Sequence, residues 1–72
     1  MKQNKYEARL VKAGGNFTRD AIAVYRNNNM HTAVGHAYTW EDADIVIAEL
    51  TKDDSHYVTV EPLTKAIRKA VR

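Results

Sequence analysis

One stretch of this sequence decides the fold, residues 39–51, which reads TWEDADIVIAELT. Thr39 is a typical helix N-cap, Asp42 stands at the capping-box position, and acids in the first turn complement the helix dipole. Apolar residues then recur at helical spacing, namely Trp40, Ala43, Val46, Ile47 and Leu50. The stretch predicts an amphipathic helix that buries this stripe and turns its acids to water, namely Glu41, Asp42, Asp44 and Glu49.

Upstream of the helix, the pattern predicts three strands. Polar and apolar residues alternate over 5–13, and apolar residues occupy both sides of 20–26. Turn residues follow each of these segments, at 14–16 and at 27–29. A third strand is predicted over 30–38, with Gly35 at a bulge or a point of close approach. The first half is therefore expected to be an antiparallel meander.

Downstream, alternation over 56–61 predicts a fourth strand, and residues 62–72 carry two stripes at helical spacing. One stripe is apolar and the other basic, with Pro62 suited to the first helical position. We therefore predict one α+β domain over residues 1–72. Its elements are a three-stranded antiparallel meander, a helix, a fourth strand and a C-terminal amphipathic helix, in the order β-β-β-α-β-α. The fourth strand could lie beside the first or the third.

Composition indicates an ordinary small domain, with 44% hydrophobic and 28% charged residues. The core of a 72-residue chain is small, and such cores are often supplemented by dimerisation or partner binding. The sequence therefore leaves open whether the chain forms a homodimer. The chain has no cysteine and no apolar run of about 20 residues. We expect a cytoplasmic protein with no membrane partner.

Charge is unevenly distributed along the chain. Residues 1–26 have six bases against two acids, 27–61 one base against seven acids, and 62–72 four bases with no acid. The net charge of +2 therefore hides a strong segregation. We expect a molecule with separate acidic and basic faces, which can steer association with charged partners.

No residue pattern indicates catalysis, a cofactor or a metal. His31 and His36 are five residues apart on a predicted strand and would point to opposite faces. Ser55 and His56 are adjacent and would diverge, and Gly14 lacks the context of a phosphate-binding loop. We expect no enzyme activity, no cofactor and no metal site.

Two charged surfaces are candidates for recognition. The acidic helix face could dock on a basic groove of a protein, although such faces are commonly only solvated. Core packing is the expected role of Trp40, but if its ring is partly exposed, it and Tyr38 are the best interface anchors. The candidate protein-binding residues are Glu41, Asp42, Asp44, Glu49, Tyr38 and Trp40.

The basic stripe could bind phosphate, or could simply complement the end of its helix. Tyr25 and Tyr57 are candidate stacking partners for bases. The candidate nucleic-acid-binding residues are Lys65, Arg68, Lys69, Arg72, Arg19 and Arg26.

The stretch GHAYTWEDA at 35–43, with VTVE at 58–61, resembles small phage-encoded proteins that inhibit host machinery. It is also similar to the small β-sheet half of HicB-type antitoxins. Both tend to run strands into a helix start of this kind and return with a short strand. The resemblance implies a small α+β fold and transfers no functional residue.

Small size, absent chemistry and segregated charge together suggest an interaction protein. We expect a non-enzymatic protein of phage or mobile-element origin that binds a larger host protein and inhibits or modulates it. The alternative is a sequence-tolerant nucleic-acid-binding protein that uses the basic C-terminal helix.

Overall fold

A computed structural model describes residues 4–14 and 18–71, and within them it has five strands and one helix. The elements are β1 (Tyr6–Val11), β2 (Ala21–Arg26), β3 (Gly35–Ala37), α1 (Trp40–Lys52), β4 (His56–Val60) and β5 (Ile67–Val71). The strands form one sheet in sequence order, and all pairs are antiparallel except β3–β4. That pair is parallel because α1 crosses between its strands. The α+β class is confirmed, and β4 lies beside β3.

The helix begins where the sequence predicts. The Thr39 side chain accepts a hydrogen bond from the Asp42 backbone N–H at 3.1 Å. This bond satisfies one of the N–H groups that a helix start leaves without a partner. Ala43, Val46 and Leu50 are buried against the sheet, as the periodicity indicates.

Gly35 allows α1 to approach the sheet closely. A Cβ at this position would lie 2.5 Å from the Val58 carbonyl oxygen and 2.7 Å from Val46 Cγ1. Both distances are far below van der Waals contact, so no larger residue fits without a backbone shift. The close approach predicted at Gly35 is confirmed.

The third strand is shorter than the predicted 30–38. Asn27 and Asn28 take left-handed backbone conformations, with φ of 52° and 63°, and turn the chain after β2. Asn29 then accepts a hydrogen bond from the backbone N–H of His31 at 3.1 Å. Local bonds of this kind compete with strand pairing, and the chain rejoins the sheet only at Val34, whose N–H donates to Val24 at 2.8 Å.

The predicted C-terminal helix over 62–72 is wrong, because the chain forms a turn at 62–64 and then β5. Lys65 takes a left-handed conformation, with φ of 59°, and Glu61 donates its backbone N–H to Ala66 at 2.8 Å. The edge of β4 would otherwise present unpaired backbone groups, which β5 satisfies along its length. A helix of about ten residues gains less, since it is marginal on its own.

The two faces of the sheet differ in what covers them. The covered face packs against α1 and carries the core, formed by Ile22, Val24, Ala37, Val58 and Val60 with the helix residues. The opposite face, which we call the open face, is not covered by any helix of the described chain. By strand alternation and register, the open face carries Glu7, Arg9, Val11, Ala21, Ala23, Tyr25, His36, Tyr57, Thr59, Arg68 and Ala70.

Candidate binding surfaces

Strand direction brings several chain segments to one end of the molecule. The pairings make β1, β3 and β4 run in one direction and β2 and β5 in the other. The carboxyl ends of the first three strands therefore lie together. The start of α1, which two residues separate from β3, and the loop from β4 to β5 lie at this same end.

Large exposed apolar side chains collect at this end, which we call the apolar end. In residues 4–14 and 18–70, they are Leu10 (53% exposed), Trp40 (58%), Leu63 (93%) and Ile67 (40%). Leu10 pairs with Ile22 across the sheet, Ile22 with Ala37, and Val60 with Ile67. Gly35 pairs with Val58 and His36 with Thr59, so the same register places Ala37 level with Val60 and continues the row. The row is buried in the middle and exposed at both ends.

Trp40 is exposed, and its expected role in core packing is wrong. The buried residues of α1 are Asp42, Ala43, Val46 and Leu50. The buried side of the helix therefore includes Asp42 and is centred away from Trp40. Trp40 then lies at the margin of the buried stripe, in the first helical turn. The sequence analysis makes Trp40 a candidate interface anchor if its ring is partly exposed, and the ring is exposed.

The four acids of the predicted acidic face divide into two pairs. Glu41 and Asp44 are exposed and form no ion pair or hydrogen bond with another described side chain. Asp42 is 1% exposed rather than facing water, and one of its oxygens lies 3.0 Å from Lys65 Nζ. Glu49 lies 3.3 Å from Lys69 Nζ, and this contact is the main reason that the pKa of Glu49 is lowered.

The basic residues of the predicted C-terminal helix do not share one face. Lys69 lies on the covered face with Glu49, while Arg68 lies on the open face, 3.1 Å from Glu61. Lys65 lies in the loop that carries Leu63, and Arg72 lies outside the described residues. Strand alternation separates Arg68 from Lys69, whereas helical spacing would place them side by side.

The remaining predicted phosphate ligands lie at opposite ends of β2. Arg26 pairs with Asp54 at 2.9 Å, and this contact is the main cause of the lowered pKa of Asp54. Arg19 lies over the Tyr38 ring, with its guanidinium carbon 3.9 Å from the ring centroid. Folding therefore joins the acidic middle of the chain to its basic flanks, and the expected separation of charges is lost at these contacts.

A second candidate surface is a groove of about 780 Å³ on the open face, which we call the tyrosine groove. Tyr25, His36 and Tyr57 point into it from three strands, and Tyr38 joins them from the segment after β3. Ala21 and Ala23 are inaccessible on this face although no helix covers them, since larger side chains flank them on the neighbouring strands. The groove is therefore shaped by aromatic rings around a small-residue strand.

His36 connects two of the tyrosines. Its Nδ1 lies 2.7 Å from the Tyr57 hydroxyl and its Nε2 lies 3.3 Å from the Tyr38 hydroxyl. Burial lowers the pKa of His36 below its ordinary value of 6.5, so the imidazole is neutral at pH 7. Burial, with Tyr38 and Tyr25 nearby, raises the pKa of Tyr57 to about 12. Because a neutral imidazole has one donor and one acceptor, one hydroxyl donates to it and the other accepts.

The contact between His36 and Tyr57 could not be predicted from the sequence. The two residues are 21 positions apart and meet only through the β3–β4 register. The alternation on each strand could have placed them on one face, had the strand pairing been known. Leu10 and Leu63 were also missed, since nothing in their local pattern marks them as exposed.

Three further findings concern the chain as a whole rather than one surface. No group of three potential metal-ligating side chains occurs in residues 4–14 and 18–71. None of the described helical residues forms a segment that is long and apolar enough to cross a bilayer. Comparison with protein-family models, with curated proteins and with solved structures gave no match.

Proposed function

We propose that this protein is a non-enzymatic interaction protein that docks on a larger protein through the apolar end, with Trp40 as the anchor. The observation that carries the proposal is the 58% exposure of Trp40 at the start of α1. Tryptophan supplies a large contact area at little conformational cost, and it is enriched among the residues that dominate binding energy. The proposal predicts inhibition or modulation of that partner by occupancy of its surface.

The neighbours of Trp40 support the same function. Leu10, Leu63 and Ile67 are exposed at the same end of the sheet, so a partner that covers this end can contact other apolar side chains besides Trp40. Isolated exposed apolar residues are common on soluble proteins, but a group at one end is typical of an interaction site. Such a group allows water to be excluded around the anchor when a partner binds.

Charge at the apolar end indicates the chemistry of the partner. Glu41 and Asp44 lie one turn apart on the exposed side of α1, beside Trp40. Asp42 and Glu49 are engaged with lysines, so the electrostatic part of the proposal rests on Glu41 and Asp44. We expect a partner with an apolar pocket for the indole ring and a basic rim. The carboxylates would mainly raise the association rate.

The test compares wild type with Trp40→Ala. Each is used as bait in a lysate of the source organism, and retained proteins are quantified by mass spectrometry. A protein retained by wild type is then purified, and its affinity for both baits is measured by calorimetry. We expect Trp40→Ala to weaken binding by about 30-fold or more, the size of a hot-spot effect. Glu41→Lys with Asp44→Lys should slow association and weaken its salt dependence.

The matched control is Tyr25→Ala, which removes an aromatic ring from the open face and leaves the apolar end intact. It should bind the partner as wild type does. The proposal is wrong if every retained protein binds Trp40→Ala and wild type with equal affinity. Circular dichroism of each variant confirms that a loss of binding does not reflect unfolding.

A further inference from the structure

The tyrosine groove is not used by the proposed docking function, and its lining is chemically distinctive. Among the described residues that line it, none is acidic, and it contains three tyrosines and two histidines. Its volume of about 780 Å³ falls in the range of small-ligand sites. The groove therefore offers aromatic faces and neutral hydrogen-bonding groups without a carboxylate that would repel an anion.

The rings of the groove differ in how firmly they are held. His36, Tyr38 and Tyr57 are connected by hydrogen bonds and by ring contacts with centroid distances of 5.4 and 5.6 Å. Tyr25, by contrast, makes no hydrogen bond or ring contact with another described side chain, and it is only partly buried. Tyr25 can therefore stack on a ligand without breaking a hydrogen bond or a ring contact with another described side chain.

Arg19 supplies a cation at the margin of the groove. Its guanidinium lies over Tyr38, and it forms no ion pair with a carboxylate of the described chain. This differs from Arg9, Arg26 and Arg68, which are each paired with an acid. The cation beside the groove is thus available to a phosphate, for which a guanidinium is a favoured partner.

We propose that the tyrosine groove binds a single-stranded nucleic acid, one base of which stacks on Tyr25 while the phosphate of another nucleotide along the strand meets Arg19. Aromatic side chains on an open sheet face, beside a cation, are a general means of holding unpaired bases. The hydroxyls of Tyr38 and Tyr57, each bonded to His36, retain further hydrogen-bonding capacity for the edge of a base. A duplex would not fit this mode, because its bases are already stacked and paired.

The test measures binding of fluorescein-labelled oligothymidylate and oligouridylate of about 12 nucleotides by anisotropy, at about 20 mM and 150 mM salt. Thymidine monophosphate and a duplex of the same length serve as competitors. Tyr25→Ala should weaken binding by about 5- to 150-fold, whereas Tyr25→Phe, which keeps the ring, should bind as wild type does. Arg19→Ala should reduce the slope of log K against log salt by about 0.7, the effect of one phosphate contact on a single strand.

Competition identifies the ligand within this chemistry. Displacement by the oligonucleotide at a much lower concentration than the mononucleotide supports a bound strand. Displacement by both at similar concentrations overturns the proposal, because one nucleotide cannot contact both Tyr25 and Arg19. The proposal is overturned if no binding occurs at low salt, or if Tyr25→Ala and Arg19→Ala bind as wild type does. It is also overturned if the duplex competes equally, or if Tyr25→Ala converts a dimer to a monomer without affecting oligonucleotide binding.

The two proposals fail independently. Trp40→Ala lies outside the groove and should bind the oligonucleotides as wild type does, just as Tyr25→Ala should retain the protein partner. Loss of both kinds of binding in one variant would indicate unfolding, which circular dichroism detects.

Discussion

The covered and open faces of the sheet are made of different side chains on the same five strands. Every strand contributes to both, because successive residues point to opposite sides. The buried core of the covered face is aliphatic and closed by α1, with Val24, Val58 and Leu50 no more than 1% exposed. The open face instead carries aromatic and charged side chains, and its tyrosines are only partly buried.

The difference shows how a chain of 72 residues separates stability from recognition. One closed layer between α1 and the sheet contains nearly all of the buried hydrophobic groups. The opposite side of the sheet lies outside this layer, and its buried hydrophobic residues within the described chain are the small side chains Ala21 and Ala23. Substitutions on the covered face should mainly change the free energy of unfolding, and those on the open face should mainly change binding.

The largest effect is expected at Gly35, on the covered face. Gly35→Ala places a methyl group 2.5 Å from a carbonyl oxygen of β4, which cannot move without shifting the strand. We expect the free energy of unfolding to fall by about 3 kcal/mol, measured by urea denaturation. Thr59→Ser removes one carbon on the open face, and it should cost less than about 1 kcal/mol. Equal effects of the two substitutions would contradict the assignment of the faces.

A smaller effect is expected where a charge is buried at the rim of the covered face. Lys65→Met removes the partner of Asp42, whose second carboxylate oxygen is already buried without a hydrogen bond in the described chain. The loss should be about 1.5 kcal/mol, below that of a fully buried pair, because Lys65 is half-exposed.

The matched control for Lys65→Met is Arg9→Met on the open face, where Arg9 pairs with Glu7 and both side chains are exposed. Exposed pairs contribute little, so this change should cost less than about 0.5 kcal/mol. A thermal or urea midpoint that falls equally in both variants would show that Asp42 does not depend on Lys65.

The smallest effect concerns the pH dependence of the open face. The pKa of His36 is lowered by burial, so His36 should titrate below 6.5 when its ring protons are followed by NMR. The neutral form is favoured in the folded state, and its contribution to stability is complete above about pH 6.5 and declines as the pH falls through the folded pKa.

A His36→Gln variant isolates this contribution. As the pH falls from about 7.5 to about 5, the urea midpoint of wild type should fall relative to that of the variant. A midpoint of titration at or above 6.5 for His36 would contradict the burial of the imidazole in the groove.

Local patterns predicted those parts of the fold in which a short segment satisfies its own backbone. The helix after Thr39 was predicted because its cap, its acidic first turn and its apolar spacing agree. The turn at Asn27 and Asn28 was predicted because asparagine tolerates the left-handed conformation that both residues adopt. Each of these signals acts within a few residues.

The C-terminal segment shows where local pattern fails. Its spacing fits a helix, and residues 67–71, which read IRKAV, lack the apolar and polar alternation of a strand although they form one. The choice depended on the edge of β4, which offered a full set of backbone partners to this segment. The candidate basic surface disappeared with the helix, because its lysines and arginines were then divided between the two faces and the loop.

The candidate surfaces were predictable only in part. The sequence singled out Trp40, Glu41 and Asp44 as possible contacts, and it named Tyr25 and Tyr57 as stacking partners. It could not combine Trp40 with Leu10 and Leu63, or Tyr57 with His36, since those neighbours meet through strand order and register. The pairing of Asp42 with Lys65 was hidden for the same reason.

By itself, the sequence determined the helix, its cap, the turn at Asn27 and Asn28 and the α+β class, since these follow from contacts among residues close in the chain. The turn predicted at 14–16 lies partly outside the described residues. Only the tertiary structure decided that the last segment is a strand, that acidic and basic segments neutralise each other, and that aromatic rings from three strands share one groove. The physical reason is that backbone groups at a sheet edge and charges far apart in sequence find their partners only after the chain has folded.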